Sequence, residues 1–306
     1  GCSVPAIMAA RTLKSPRDRI VTVLVVPFMS CGAKLPVHVL LAAAFFPENA
    51  ANMVMIIYAI GVVIALASAW VLKKTVLRGD PTPFVMELPP YRAPTLRGLL
   101  WHVWEKTWIY IRKAGTVILA STILIWVITS FPAYEPGPAV IEGWKAEFVQ
   151  EHGQLDDEEF AGFVETSTAQ AALSHSYAGR IGHFIEPIFK PMGFDWKIAV
   201  ASVTGFAAKE IVVSTLGVLY RVGVDETEES ESLREALKRD PIFNPLVAFT
   251  LMLFILIIPP CFAALSAIRA ELGGKWLGFA IVFMLSLGWT LSFAVYYVGS
   301  LFGIGV

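Results

Sequence analysis

The sequence predicts an all-α, polytopic integral membrane protein with broken helices and an inverted internal repeat. Three observations point there. Hydrophobic residues make up 56% of the 306 positions and charged residues only 16%, with a mean hydropathy of +0.64, which fits neither a disordered chain nor an ordinary soluble enzyme. Long runs carry no formal charge, and 19 prolines and 23 glycines interrupt them. Short motifs near the two ends resemble one another. The 24 basic and 25 acidic residues cancel to −1, so nothing in the global charge favours a nucleic-acid partner, and three cysteines do not make a disulfide framework. The natural partner is the lipid bilayer.

The clearest spanning runs are Met53 to Leu72, Ala114 to Ile128, Ile242 to Ile268 and Trp276 to Val298, each without a formal charge. Most approach the roughly 20 residues that cross a bilayer core; the short second run extends through Thr129 to Phe131. Two further stretches are less regular. Ile20 to Phe46 is apolar apart from Lys34 and His38 and is divided by Pro27, Gly32 and Pro36; Trp196 to Tyr220 is apolar apart from Lys197, Lys209 and Glu210. Both read as membrane segments with a broken or polar centre, for a total of about six crossings after a truncated first element that ends near Ala10.

Loop charge orients these runs, because Lys and Arg concentrate on the cytoplasmic side. Arg11 to Arg19 carries four basic residues against one acid and Lys73 to Lys113 eight against three, which predicts a cytoplasmic location for both; Phe131 to Met192 carries ten acids against three basic residues and belongs opposite. If every stretch crosses, Arg221 to Pro241 is cytoplasmic, 242–268 runs outward and 276–298 returns. A re-entrant course for either broken stretch would reverse everything downstream. The resulting division is 1–72, a first repeat with a truncated element and two spans; 73–113, a basic cytoplasmic linker with an interfacial helix bearing Trp101, Trp104, Trp108 and Tyr110; 114–131, a central span; 132–192, an external amphipathic connection; and 193–306, the second repeat with the C-terminal spans. His152, His175 and His183 in the connection match no compact metal motif.

The repeat is read from two pairs. Cys2 to Arg11 parallels Cys261 to Arg269, each a cysteine followed by small apolar residues and an arginine two to three turns later, with Pro5 in the first and Pro259 and Pro260 before the second. Ser30 to Lys34 is paired more loosely with Gly205 to Glu210. With the topology above, the two Cys–Arg units end at opposite faces, as inverted repeats do when broken helices build a midplane substrate site. This favours a transport protein. Lys209 and Glu210 must face protein or a water-filled cavity, and Lys34 is the expected partner of Glu210. Glu210 is a candidate carboxylate in a cation path; Lys34 and Lys209, which repel a divalent ion, are candidates for gating or helix linking. Cys2, Cys31 and Cys261 lie beside Pro or Gly interruptions and are candidate ligands for a borderline or soft metal. Met8 and Met29 are packing residues by the same reading.

Four stretches carry a resemblance. GCSVPAIMAAR (1–11), PFMSCGAKLP (27–36), GFAAKEIVVSTLG (205–217) and PPCFAALSAIR (259–269), in this order, resemble the membrane permease portion of the bacterial and archaeal ferrous iron transport protein B family. The first and last resemble that family's two gate motifs, which makes the inverted repeats gate-type. The resemblance implies Fe2+ as the transported substrate and carries a role in its movement to Cys2, Cys261 and, less directly, Cys31. It further implies a bacterial inner-membrane or archaeal plasma-membrane location, small cytoplasmic accessory proteins and an N-terminal GTPase, on the same or a separate chain, that uses GTP and Mg2+. Homo-oligomer formation is left open. No G-x-x-x-x-G-K-[ST] loop occurs in these residues, so the 306 residues are not expected to act as an enzyme. The start at Gly1, inside an apolar motif, predicts a piece of something longer. The competing reading is a permease for a nucleoside or another polar solute.

Overall fold

A computed structural model describes residues 2–77, 95–152, 157–206, 208–223, 227 and 230–303. Gly1, Ala207, Asp156 and the middle of the basic linker (78–94) lie outside the described residues, as do the side chains of Tyr110 and His152. The described chain is helical: α1 (Ser3–Ala9), α2 (Pro16–Val25), α3 (Leu35–Phe45), α4 (Ala50–Lys74), α5 (Leu96–Ser130), α6 (Pro138–His152), α7 (Asp157–His175), α8 (Tyr177–Phe189), α9 (Trp196–Thr204), α10 (Ile211–Leu219), α11 (Glu231–Arg239), α12 (Pro245–Ile257), α13 (Phe262–Leu272) and α14 (Gly274–Leu301). Four stretches are long and apolar enough to cross a membrane, Pro16–Phe45, Pro47–Lys74, Pro245–Leu272 and Gly274–Leu301, with Gly115–Ser130 a shorter apolar part of α5. The protein is a multi-pass membrane protein.

Helix starts and breaks follow local chemistry. Ser15, Asp195 and Asn244 cap α2, α9 and α12 by accepting the backbone N–H of Asp18, Ile198 and Val247, with proline in the first helical turn of α2 and α12. Pro259 and Pro260 end α12, because neither can donate to the carbonyl four residues back, and the helix resumes as α13. The α2 to α3 span is interrupted at Pro27, where a short 3-10 turn gives way to extended backbone at Met29.

Pair contacts fix the directions. Asp18 bonds Lys73 at 2.8 Å, and a Cβ on Gly61 would lie 2.8 Å from the carbonyl oxygen of Phe28. The α2–α3 span and α4 are therefore antiparallel, with residues 11–19 and Lys73 on one face, here termed the basic face. His38 Nε2 lies 3.1 Å from the carbonyl oxygen of Met252 and Phe45 stacks on Phe243, so α12 runs antiparallel to α3, toward the basic face. It is the span most enclosed by protein. A Cβ on Gly299 would strike Leu246 and one on Gly288 would meet Ile257, so α14 returns to the far face, its exposed Val282 at lipid depth.

The segment 196–220 does not cross. Lys197 and Tyr220, at its two ends, both bond Asp240 Oδ2, at 3.0 and 2.9 Å, while Thr204 and Thr215 touch at 3.0 Å. Helices α9 and α10 thus form a hairpin that enters and leaves on the same face, with Gly205 to Glu210 at its tip. This corrects the all-crossing topology: Arg221 to Pro241 shares the face of residues 132–192, since Arg221 pairs with Glu147 at 2.9 Å and Gln170 donates to the carbonyl of Leu219. Residues 242–272 then run toward the basic face and 274–301 away from it. Trp101, Trp104 and Trp108 are exposed along the first turns of α5.

Candidate functional site

The interruptions meet. One cavity of about 280 Å³ is lined by Cys2, Ser3 and Val4 of the first motif, Cys31 to Lys34 from the break between α2 and α3, Lys209 from the hairpin tip, and Pro260, Cys261 and Ala264 from the break between α12 and α13. The hairpin tip is tied to the last break directly, since Phe262 N–H donates to the carbonyl of Phe206 at 3.2 Å. Each cysteine is the residue immediately before a helical element, so helix-free backbone surrounds all three. All are free thiols, Cys2 exposed and Cys31 and Cys261 half-buried.

Lys34 is the cross-link at this level. Its side chain is 1% exposed, and its ammonium donates to the carbonyl of Pro27 at 2.8 Å and of Leu256 at 2.6 Å. Pro260 lacks the N–H that a continuous helix would give to Leu256, so one side chain satisfies a carbonyl freed in each broken span. His38 repeats the α3 to α12 link one turn further along. Lys209 is equally buried and lines the cavity, but its ammonium has no hydrogen-bond partner among the described residues. It lies 5.8 Å from the centroid of the Phe206 ring.

Two expectations fail on geometry. Glu210 is exposed and is not among the cavity-lining residues, and Lys34 spends its donors on backbone carbonyls rather than on Glu210. The Cys2–Arg11 and Cys261–Arg269 units do not end at opposite faces: their cysteines share the cavity, while Arg11 reaches Glu271, beyond the second unit's Arg269, at 2.5 Å. Helices α1 and α13 therefore run side by side in the same direction, and the two units are not an inverted pair. Among the described residues, no group of three or more His, Cys, Asp or Glu side chains lies close enough to hold a metal ion. The residue missed from sequence is Glu271. Its side chain is 1% exposed between Arg11 and Arg19, whose ends lie 2.5 and 2.6 Å away; a single acid beside Arg269 gave no pattern to notice.

Comparison with known proteins agrees with the motifs. Residues 54–106 match the family model described as ferrous iron transport protein B C terminus, and residues 111–275, more than half of the chain, match the gate model described as nucleoside recognition. An Fe(2+) transport protein A/Fe(2+) transporter FeoB fusion protein of Porphyromonas gingivalis is 42% identical over 99% of this chain and 37% of its own length. Fe(2+) transporter FeoB of Helicobacter pylori is 39% identical over 97% of this chain and 46% of its own, and that of Methanocaldococcus jannaschii 36% identical over 98% and 40%. The chain thus spans less than half the length of these curated relatives. No solved structure matches. The chain belongs to the ferrous iron transport protein B family, and its matches fall on that family's membrane permease portion.

Proposed function

We propose that these residues form the permease of an Fe2+ uptake transporter and that the ion passes through the cavity bounded by Cys2, Cys31 and Cys261. The observation that carries this reading is the convergence of three thiols, from segments up to 259 positions apart in sequence, on one cavity made of helix breaks. Thiolate donors suit Fe2+ far better than Mg2+ or Na+, which favour oxygen. The thiols are not close enough to chelate in this conformation, so the ligands close around the ion as it enters. Lys209, an amine in the cavity wall with no hydrogen-bond partner among the described residues, acts as the gate side chain that must swing aside. Lys34 links the two broken spans. Exposed Glu210, beside Lys209 on the hairpin tip, meets the hydrated ion before the thiols do.

The inverted repeat is retained with different partners. The first repeat lies within 1–72 and the second within 193–306: α1 corresponds to α10, the broken α2–α3 span to the broken α12–α13 span, and α4 to α14. Support comes from direction, since each member runs opposite to its counterpart, and from Lys34 and Leu256, which meet where both spans break. The intervening 73–113, 114–131 and 132–192 are linker, span and external connection. The basic face is cytoplasmic by its Lys and Arg content, and it is the side a GTPase domain using GTP and Mg2+ would contact.

Full-length protein in sealed liposomes is expected to take up Fe2+ saturably, with no competition from nucleosides. Nucleoside uptake without Fe2+ entry would instead favour the polar-solute reading. The cavity offers that solute little, as Ser3 supplies the single side-chain hydroxyl in its lining.

A further inference from the structure

We propose that Glu271, held by Arg11 and Arg19, is the latch that keeps the cysteine cavity closed toward the basic face; this rests on the cavity being the ion's route. The parallel helices α1 and α13 form one wall from the cavity to that face. Cys2 and Cys261 stand at their starts, and the ion-pair cluster ties their ends. Arg11 bonds one carboxylate oxygen through Nε at 2.6 Å, and Arg19 bonds the other at 2.6 Å and the backbone carbonyl of Glu271 at 3.1 Å. One acid therefore joins the end of α13 to the segment after α1 and to α2. Asp18, next to Arg19, joins the same corner to Lys73 of α4 at 2.8 Å.

The surroundings fit a contact that opens rather than a permanent core pair. Helix α1 is only seven residues long, so it moves as a short lever. The Arg11 and Arg19 side chains are 48% and 34% exposed while Glu271 is 1% exposed. Both arginine side chains are thus partly solvated, although Arg19 Nε itself is buried, and parting them hydrates the acid they cover, which keeps the cost of opening below that of breaking a fully buried pair. Arg19 Nε is buried with no hydrogen-bond partner among the described residues, so the grip leaves a donor unspent.

The test is the rate at which a charged, membrane-impermeant thiol reagent labels Cys2 and Cys261 in full-length protein, added to oriented vesicles from either face, with the other native cysteines changed to serine. Glu271→Gln keeps the shape and removes the charge. Labelling from the basic face is expected to rise about 5- to 150-fold, the span of a typical coupling energy, with no change from the opposite face. Glu271→Asp should restore slow labelling. Arg11→Gln, which leaves the Arg19 pair in place, should give a smaller rise in the same direction and serves if Glu271→Gln does not fold. Unchanged labelling in a folded variant, or equal acceleration from both faces, overturns the latch. The assay needs no iron, so a failed Fe2+ transport experiment and a failed latch experiment are separate results.

Discussion

Serine in place of Cys261 or Cys2 is expected to cut Fe2+ uptake by at least the roughly 10- to 100-fold that loss of a supporting group costs at a metal site, while leaving the fold intact. The substitution preserves volume and position before the helix and exchanges a soft donor for a hard one. Both residues line the cavity, and the Cys261 sulfur faces the backbone N–H groups of Ala263 and Ala264 at the start of α13, a contact that a serine hydroxyl also makes. Cys31→Ser should follow with a smaller loss, because Cys31 opens only a single 3-10 turn, Gly32–Lys34. Uptake assays on full-length protein in sealed liposomes decide this. Unchanged uptake in both the Cys2 and Cys261 variants would remove the thiols from the path.

The second large effect is on stability. Lys34→Met keeps the aliphatic stem and deletes the ammonium that bonds Pro27 and Leu256. Two buried carbonyls then lose their donor, each at about 1–3 kcal/mol, so the loss should total about 2–6 kcal/mol in a reversible unfolding titration in lipid micelles. Lys209→Met offers the contrast. Its ammonium has no hydrogen-bond partner among the described residues, and its removal should leave stability equal or improved while changing uptake. Equal stability of Lys34→Met and the unaltered protein would refute the cross-link.

How far the sequence reached depended on what each signal reports. Charge-free runs located three of the four long spans and the apolar part of α5, because burial in lipid demands them whatever the packing, and the fourth, Pro16–Phe45, shows in the sequence as the broken stretch Ile20 to Phe46 with Lys34 and His38. Pro27 and Pro259–Pro260 located two breaks, because a missing N–H acts locally. The course of 196–220 was not legible: an apolar stretch with a polar centre has the same composition whether it crosses or turns back. What decides it is Asp240, some 20 positions past the stretch's end, receiving both Lys197 and Tyr220. That one hairpin reverses every later span.

The repeat as read from the two Cys–Arg units failed for a physical reason. Cys2–Arg11 and Cys261–Arg269 look alike because both are small-residue helices that leave a break, and the structure sets them parallel. Likeness of composition pointed to shared surroundings rather than to symmetry. The three cysteines line one cavity, an outcome the sequence left open; each stands at a Pro or Gly interruption, and interruptions cluster where helices need not pair with lipid. Lys34 and Lys209 are both buried at the cavity, enclosed by protein as the cost of a lysine in hydrocarbon demands. The expected Lys34–Glu210 pair does not form, because neighbouring residues on a hairpin tip point in different directions and Glu210 is exposed while Lys209 is buried.

The claim on which the rest depends is that the cavity at the four motifs receives the ion. An anaerobic structure of the full-length protein in lipid with Fe2+, with an anomalous map collected at the iron edge, tests it most directly. The account predicts an iron peak inside the cavity, in bonding contact with the sulfurs of Cys2 and Cys261. An iron peak elsewhere in the membrane region, with this cavity empty and its three thiols apart, would contradict it.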